Sequence, residues 1–161
     1  MKINYSLQNL IDKYKIDYIN SFSDKVEKDI HKLSNHILQC WKKDKNIFII
    51  GNGGSGANAQ HIANDFIYGI GMSKSEPDIP GIDIQALTSN SNILTCLAND
   101  TGYENIFSKQ IEVKGRKGEL LIILSGSGNS KNVINALKKA REKGMKSFAI
   151  LGFDGGKCKE L

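Results

Sequence analysis

The sequence is short of several things, and each shortage narrows what the chain can do. Proline occurs twice, as Pro77 and Pro80, both in one polar link, so nothing marks a Pro-rich linker between domains. Three cysteines (Cys40, Cys96, Cys158) are scattered, odd in number and without metal-type spacing. That usage excludes a disulfide framework and fits a reducing cytoplasm. The longest near-continuous apolar runs, Asn46-Ile-Phe-Ile-Ile50 and Leu120-Leu-Ile-Ile-Leu124, are far below membrane-spanning length and read as buried strands. Met1 to Asp12 is polar and lacks the apolar core of a secretory signal. Aromatic residues make up 7% of the chain. The formal charge of +5 is spread along it, with modest groups at Lys42-Lys43-Asp44-Lys45 and Lys138-Lys139-Ala140-Arg141. Without a dense basic block or interleaved aromatics, nucleic acid is not an expected partner; an anionic small ligand suits the balance equally well. No low-complexity segment or short repeat is present.

What remains is an ordinary soluble composition, 40% hydrophobic and 24% charged, in 161 residues. That length supports one domain with a real core and not two. The first forty residues predict a long helix or a broken pair. Leu7, Leu10, Ile11, Tyr14, Tyr18, Phe22, Val26, Ile30, Leu33, Ile37 and Trp41 recur at intervals of three and four. His31 and His36 read as ordinary helix residues within that stripe. A long amphipathic arm (1–45) on a small domain (46–161) points to packing against a second subunit. After Trp41 short apolar runs alternate with helical stretches. The pattern predicts strands near 47–50, 83–88, 119–124 and 146–151. Helices are expected near 55–67, 90–98 and 129–143, with a short one near 103–110. The alternation argues for an α/β fold, a parallel sheet with helices on both faces. The chain stops at Lys157-Cys-Lys-Glu-Leu161 just after a strand and a helix start. A doubly wound sheet usually continues there, so a C-terminal strand and helix are expected to be missing.

Two loops carry the chemistry. Gly51-Asn-Gly-Gly-Ser-Gly56 follows the first strand and opens a helix, matching G-x-G-x-x-G. A dinucleotide reading wants an acidic residue at the end of the second strand. That strand ends in Gln85-Ala-Leu-Thr88, with Asp83 at its beginning instead. Ser125-Gly-Ser-Gly-Asn-Ser130 lies between a buried strand and another helix. Its hydroxyls, its inward-turning backbone N–H groups and the positive helix end make a phosphate cradle. The plainer alternative is a serine-rich turn capped at Asn129 or Ser130. No loop ends Gly-Lys-Ser/Thr, which argues against ATP chemistry, and no nucleotide cofactor is expected. Both loops lie at carboxyl ends of strands and can face one crevice. On the helix after the first loop, Asn58, His61 and Asp65 share one face. A His and a carboxylate four apart suit proton transfer or half of a divalent-metal site, or else form a solvated polar stripe. Asn99 and Asp100 could bind sugar hydroxyls, though spacing alone favours capping of the next helix.

At these residues the sequence resembles the phosphoheptose (sedoheptulose-7-phosphate) isomerases of the sugar-isomerase (SIS) type. The resemblance is carried by Phe48-Ile-Ile-Gly-Asn-Gly-Gly-Ser55 with Ala59-Gln-His-Ile-Ala63, and by Cys96-Leu-Ala-Asn-Asp100 with Tyr103-Glu-Asn-Ile-Phe-Ser108. Leu124-Ser-Gly-Ser-Gly-Asn-Ser130 with Ala140-Arg-Glu-Lys-Gly-Met145 completes it. It implies a three-layer, flavodoxin-like SIS fold, a homotetramer with shared active sites, and isomerisation of a ketose phosphate to an aldose phosphate through an enediol. It implies that Ser125, Ser127 and Ser130 hold the phosphate with Ser55 nearby, and that Asn52, Asn99 and Asp100 line the sugar site. Gly53 and Gly126 belong to the same two binding loops. His61 and Asp65 fall on catalytic positions, where some members bind zinc. The chain departs from the family in three ways. Asp65 replaces a glutamate, Ile67-Tyr-Gly-Ile70 lacks a following arginine, and the histidine-bearing C-terminal helix is absent. These departures keep open a second expectation, a non-catalytic SIS phosphosugar sensor or an assembly partner, for example of a replication initiator.

Overall fold

A computed structural model of the chain describes residues 6–69 and 80–161. Pro77 and Ile70 lie outside them. The chain divides into two compact units, Met1–His36 and Ile37–Leu161. In the first, the broken pair is the form adopted. Helix α1 (Leu7–Asn20) starts at Ser6, whose hydroxyl accepts from the Asn9 N–H. It stops at Ser21, whose hydroxyl turns back to the Tyr18 carbonyl at 2.6 Å. Helix α2 (Asp24–Lys42) follows and carries both His31 and His36, with the unit boundary falling inside it. Tyr18 stacks on Tyr14 and meets Phe22 edge-on, so part of the apolar stripe is satisfied locally.

The second unit is the α/β domain. Its strands are β1 (Ile47–Gly51), β2 (Ile84–Ala86), β3 (Leu120–Ser125) and β4 (Lys146–Leu151). All pair parallel, in the order β2-β1-β3-β4. β1 and β3 sit in the middle and are buried at every residue, as continuous apolar runs in a parallel sheet must be. Phe48 and Ile50 of β1 and Leu121 and Ile123 of β3 share one face. That face packs against α5 (Ser108–Lys114) and α6 (Lys131–Glu142) through Ile111, Val133, Ala136, Leu137 and Ala140. Helix α3 (Gly53–Asn64) meets β1, β2 and β3 and buries Ala59 and Ala63. The buried Glu119 ties the two central strands at their start, accepting from Asn46 Nδ2 at 2.8 Å and the Arg116 N–H at 2.6 Å.

Several boundaries differ from the periodicity-based expectation, for local reasons. The helix expected over 55–67 is α3 followed by a π-helical segment, Asp65–Gly69. The second strand is shorter than 83–88. After Ala86 the chain turns, with the Ser89 N–H and hydroxyl both bonding the Ala86 carbonyl. Helix α4 (Ser91–Thr101) is capped by Asn90, which accepts from the Ile93 N–H at 3.0 Å. The helix expected near 103–110 is two pieces, a 3-10 turn (Tyr103–Asn105) and α5. Helix α6 begins at Lys131, later than the expected 129, and a short α7 (Gly156–Glu160) ends the described chain.

The first glycine loop is fixed by sterics. A Cβ on Gly51 would fall 2.6 Å from the Ser55 carbonyl carbon, whereas nothing lies within 4 Å of one on Gly54. Gly51→Ala should therefore cost about 1–3 kcal/mol of stability by overpacking. Gly54→Ala, inside α3, should be neutral or stabilise by up to about 1 kcal/mol. Urea denaturation of the two variants measures the contrast.

Candidate active site

The strand order reverses between β1 and β3: after β1 the chain moves out to β2, and after β3 to β4. At such a switch point the two following loops diverge and leave a crevice at the carboxyl ends of the strands. The two loops singled out in the sequence are the ones that emerge there. The first makes its turn at Gly53, whose φ of 53° is left-handed backbone. Asn52 is the N-cap residue of α3 by position, yet its side chain makes no capping bond. It faces Asn132 in the first turn of α6. Each amide donates to the other's Oδ1 at 2.9 Å, and the Tyr103 hydroxyl donates to Asn52 Oδ1 at 3.1 Å. Residues 80 apart in sequence thus join the two loops directly.

The second loop is held by its own serines and by the segment that follows β4. Ser125 Oγ accepts from the Gly128 N–H at 3.1 Å and Ser127 Oγ from the Asn129 N–H at 3.2 Å. Each hydroxyl keeps its own proton to donate. Ser130 occupies the N-cap of α6 without capping it through its side chain, so the plain capped-turn alternative does not describe this residue. From outside, the Gly152 N–H bonds the carbonyls of Ser125 and Gly126, the Cys158 N–H bonds that of Gly128, and the Lys157 N–H bonds Asn129 Oδ1. The loop is preorganised before any ligand arrives.

Ser55, Asn58 and His61 of α3 line one cleft of ≈ 530 Å³ with Ser125 and Gly126, its apolar wall formed by Ile62, Leu124 and Ile150. Asn52 and Gly53 border a neighbouring, smaller cleft of ≈ 320 Å³ with Thr88, Tyr103 and Phe107. A larger one of ≈ 770 Å³ follows the outer edge of β2 past Asp83, Gln85 and Lys114, away from the serine loop. His61 Nε2 lies 3.5 Å from Asp65 Oδ2, one turn on, with the side chains 75% and 60% exposed. Asp65 opens the π-helical segment. Such a local widening turns a side chain away from strict i, i+4 register and is frequent at functional sites. Asp65, Ser127 and Ser130 line neither of the two loop clefts.

Asn99 and Asp100 lie exposed in the last turn of α4. They do not cap the next element, whose cap position is Gly102 without a side-chain bond. Instead Asn99 Nδ2 donates to Asp100 Oδ1 at 2.8 Å, and Cys96 Sγ–H to Asp100 Oδ2 at 3.5 Å. As metal donors, His61 and Asp65 are two on one helical face, whereas a zinc centre takes at least three protein ligands. Among the described residues no group of three or more His, Cys, Asp and Glu converges.

Sequence reasoning missed Asn132 and the clamp from Gly152 to Cys158. Asn132 did leave a trace: it stands one and two turns before Ala136 and Ala140, on the buried face of α6.

The geometry agrees with comparison to known proteins. The family model for the SIS domain matches residues 13–152. The phosphoheptose isomerase of Sulfurimonas denitrificans is 41% identical over 82% of this chain and 65% of its own length. That of Aliarcobacter butzleri is 44% identical, over 84% and 69%. The solved phosphoheptose isomerase of Neisseria gonorrhoeae superposes with a TM-score of 0.80 at 34% identity, covering 97% of this chain and 80% of that one. The chain belongs to the SIS-domain phosphoheptose isomerase family. It spans about two thirds of the length of these curated relatives, 65% and 69%. Within this SIS domain the four-stranded parallel sheet with flanking helices is the fold expected from the sequence.

The Cys96–Asp100 contact gives a direct probe of the end of α4. The hydrogen bond to Asp100, and then its charge, push the Cys96 thiol up. Burial raises Cys40 and Cys158, which are 5% exposed. Cys96 should be the only thiol alkylated by iodoacetamide in the folded protein at pH 7.5. Asp100→Asn should speed its reaction several-fold, because the thiolate fraction rises. Mass spectrometry over time reads both.

Proposed function

We propose that this SIS domain binds sedoheptulose 7-phosphate and converts it to a heptose 7-phosphate through an enediol. The observation that carries the reading is the joined pair of loops at the switch point: a self-braced serine loop lies beside a helix presenting Ser55, Asn58 and His61. Ser125, Ser127 and Ser130, with Ser55, would hold the phosphate by hydroxyl and backbone donors. Their binding energy is then available to position the far end of the sugar. Asp65 as carboxylate would take the C1 proton of the ketose as the C1–C2 enediol forms, then return it to C2. O2 takes a proton from solvent as the enediol forms, and O1 gives its proton up to solvent as the carbonyl forms at C1, which leaves O2 as the hydroxyl on C2. His61, next to Asp65, would orient that carboxylate and the sugar oxygens. Asn52, Gly53, Asn99 and Asp100 would border the sugar, and Gly126 would let the loop backbone approach the phosphate.

A second reading, a phosphosugar-binding module without turnover, is favoured by the exposure of His61 and Asp65, since a general base is most effective where water is excluded. A homotetramer and a cytoplasmic setting complete the proposal. The first is supported by α1, which buries none of its residues and exposes Leu7, Tyr14 and Ile19. The second is supported by three unpaired cysteines.

Turnover of sedoheptulose 7-phosphate by the chain, followed by NMR, tests the isomerase. Asp65→Asn should lower kcat by about 100-fold or more if Asp65 carries the proton. Saturable binding without turnover in the unaltered chain would support the binding module instead.

A further inference from the structure

We propose that Asn132 is a positioning residue: it holds Asn52, and through it the start of α3, in the arrangement that receives the sugar. The inference rests on the functional reading above and adds a residue that does not itself face the ligand clefts. Asn132 is 2% exposed, in the first turn of α6 immediately after the serine loop. A buried amide there needs partners for its donors and its acceptor. It finds them in one place, the amide of Asn52, in two bonds of 2.9 Å.

The exchange has a consequence at each end. Asn is among the strongest helix caps, yet Asn52, at the cap position of α3, makes no side-chain cap bond because its amide is turned to Asn132. The N–H groups at the start of α3 thus go without a side-chain cap from Asn52. The amide itself is almost saturated. Its Oδ1 accepts from both Asn132 Nδ2 and the Tyr103 hydroxyl, and one Nδ2 hydrogen goes to Asn132 Oδ1. An amide nitrogen carries two hydrogens, so one donor is left for a ligand. With the Tyr103 hydroxyl and Asn132 both donating to Oδ1, the free hydrogen lies on the Nδ2 side of the amide. Asn132 thereby fixes the direction of a single donor in the first loop relative to the phosphate cradle of the second. A misdirected donor should harm recognition of the sugar and leave recognition of the phosphate alone.

That separation is the test. Calorimetric titrations with sedoheptulose 7-phosphate, and separately with inorganic phosphate, are made on the unaltered chain, Asn132→Leu, Tyr103→Phe, Asn52→Ala and the two doubles with Asn52→Ala. A leucine at 132, of similar size and uncharged, can neither donate to Asn52 Oδ1 nor accept from its Nδ2. Asn132→Leu should weaken the sugar phosphate about tenfold, the worth of one well-placed hydrogen bond, and, adding no charge beside the serine loop, change inorganic phosphate less than about twofold. Tyr103→Phe removes one hydroxyl from an exposed side chain and carries little folding risk; it should shift affinity in the same direction by about threefold. In the Asn52→Ala background both substitutions should be silent, because what they position is gone. A merely structural role predicts the opposite: equal losses for both ligands, or losses that add to that of Asn52→Ala. Either result would overturn the proposal, as would unchanged sugar-phosphate affinity in Tyr103→Phe should Asn132→Leu fail to fold. Sugar-phosphate binding in the unaltered chain with unaffected variants sinks this inference alone. Its absence in the unaltered chain sinks the functional reading and this inference with it.

Discussion

The paired amides of Asn52 and Asn132 are the contact on which the rest of the site depends. A parallel sheet aligns its strands by backbone hydrogen bonding and places their carboxyl ends along one side, but it does not specify how the loops beyond those ends stand to each other. Here β1 and β3 are paired from Ile47↔Leu120 to Gly51↔Leu124, so the last register pair lies directly beneath both loops. One residue beyond Gly51, the Asn52 side chain continues the alignment by meeting α6. The pair is neutral, doubly hydrogen-bonded and part-buried. In such a setting a hydrogen bond is stronger than in solvent, and a missing partner is costly.

Around that tie the two loops are built differently. The first is held by close approach: Gly51 lies so near Ser55 that no side chain fits between them, and the backbone of α3 is drawn down onto β1. The second is held by hydrogen bonds to its own hydroxyls and by the chain that returns after β4. Rigid backbone donors beside a helix start suit an anion with several oxygens. The opposite wall suits another task, since α3 offers an amide and an imidazole, Asn58 and His61, and the π-helical segment after it the carboxylate of Asp65, all exposed. The proposed division of the crevice into a holding side and a reacting side rests on that contrast.

Much of this was legible in the residues. The runs at 46–50 and 120–124 are apolar without alternation, which only a strand buried on both faces tolerates, and they became the two central strands. The loops were visible because glycine and serine at those spacings have few other uses. Less legible were elements whose form depends on neighbours. The π-helical segment from Asp65 shows no distinct periodicity in five residues, and the helix expected near 103–110 breaks where the Asn105 side chain bonds the Thr101 carbonyl at 2.6 Å. Asn99 and Asp100 looked like caps because their side chains commonly serve as such. In the fold they bond one another and Cys96 instead.

The sequence by itself determined the α/β class, the four strands and the two loops that follow β1 and β3, because each rests on local periodicity and on the conformational freedom of glycine. It also carried the family, since ordered motifs survive in the chain without reference to contacts. Only the tertiary structure decided the strand order, and with it the fact that the two loops adjoin. It alone decided that Asn52 faces Asn132 and Tyr103 rather than the N–H groups of its own helix. The reason is that a hydrogen bond between residues 80 apart leaves no periodic signal. Which of an asparagine's available partners it takes is set by what the fold brings within about 3 Å of it.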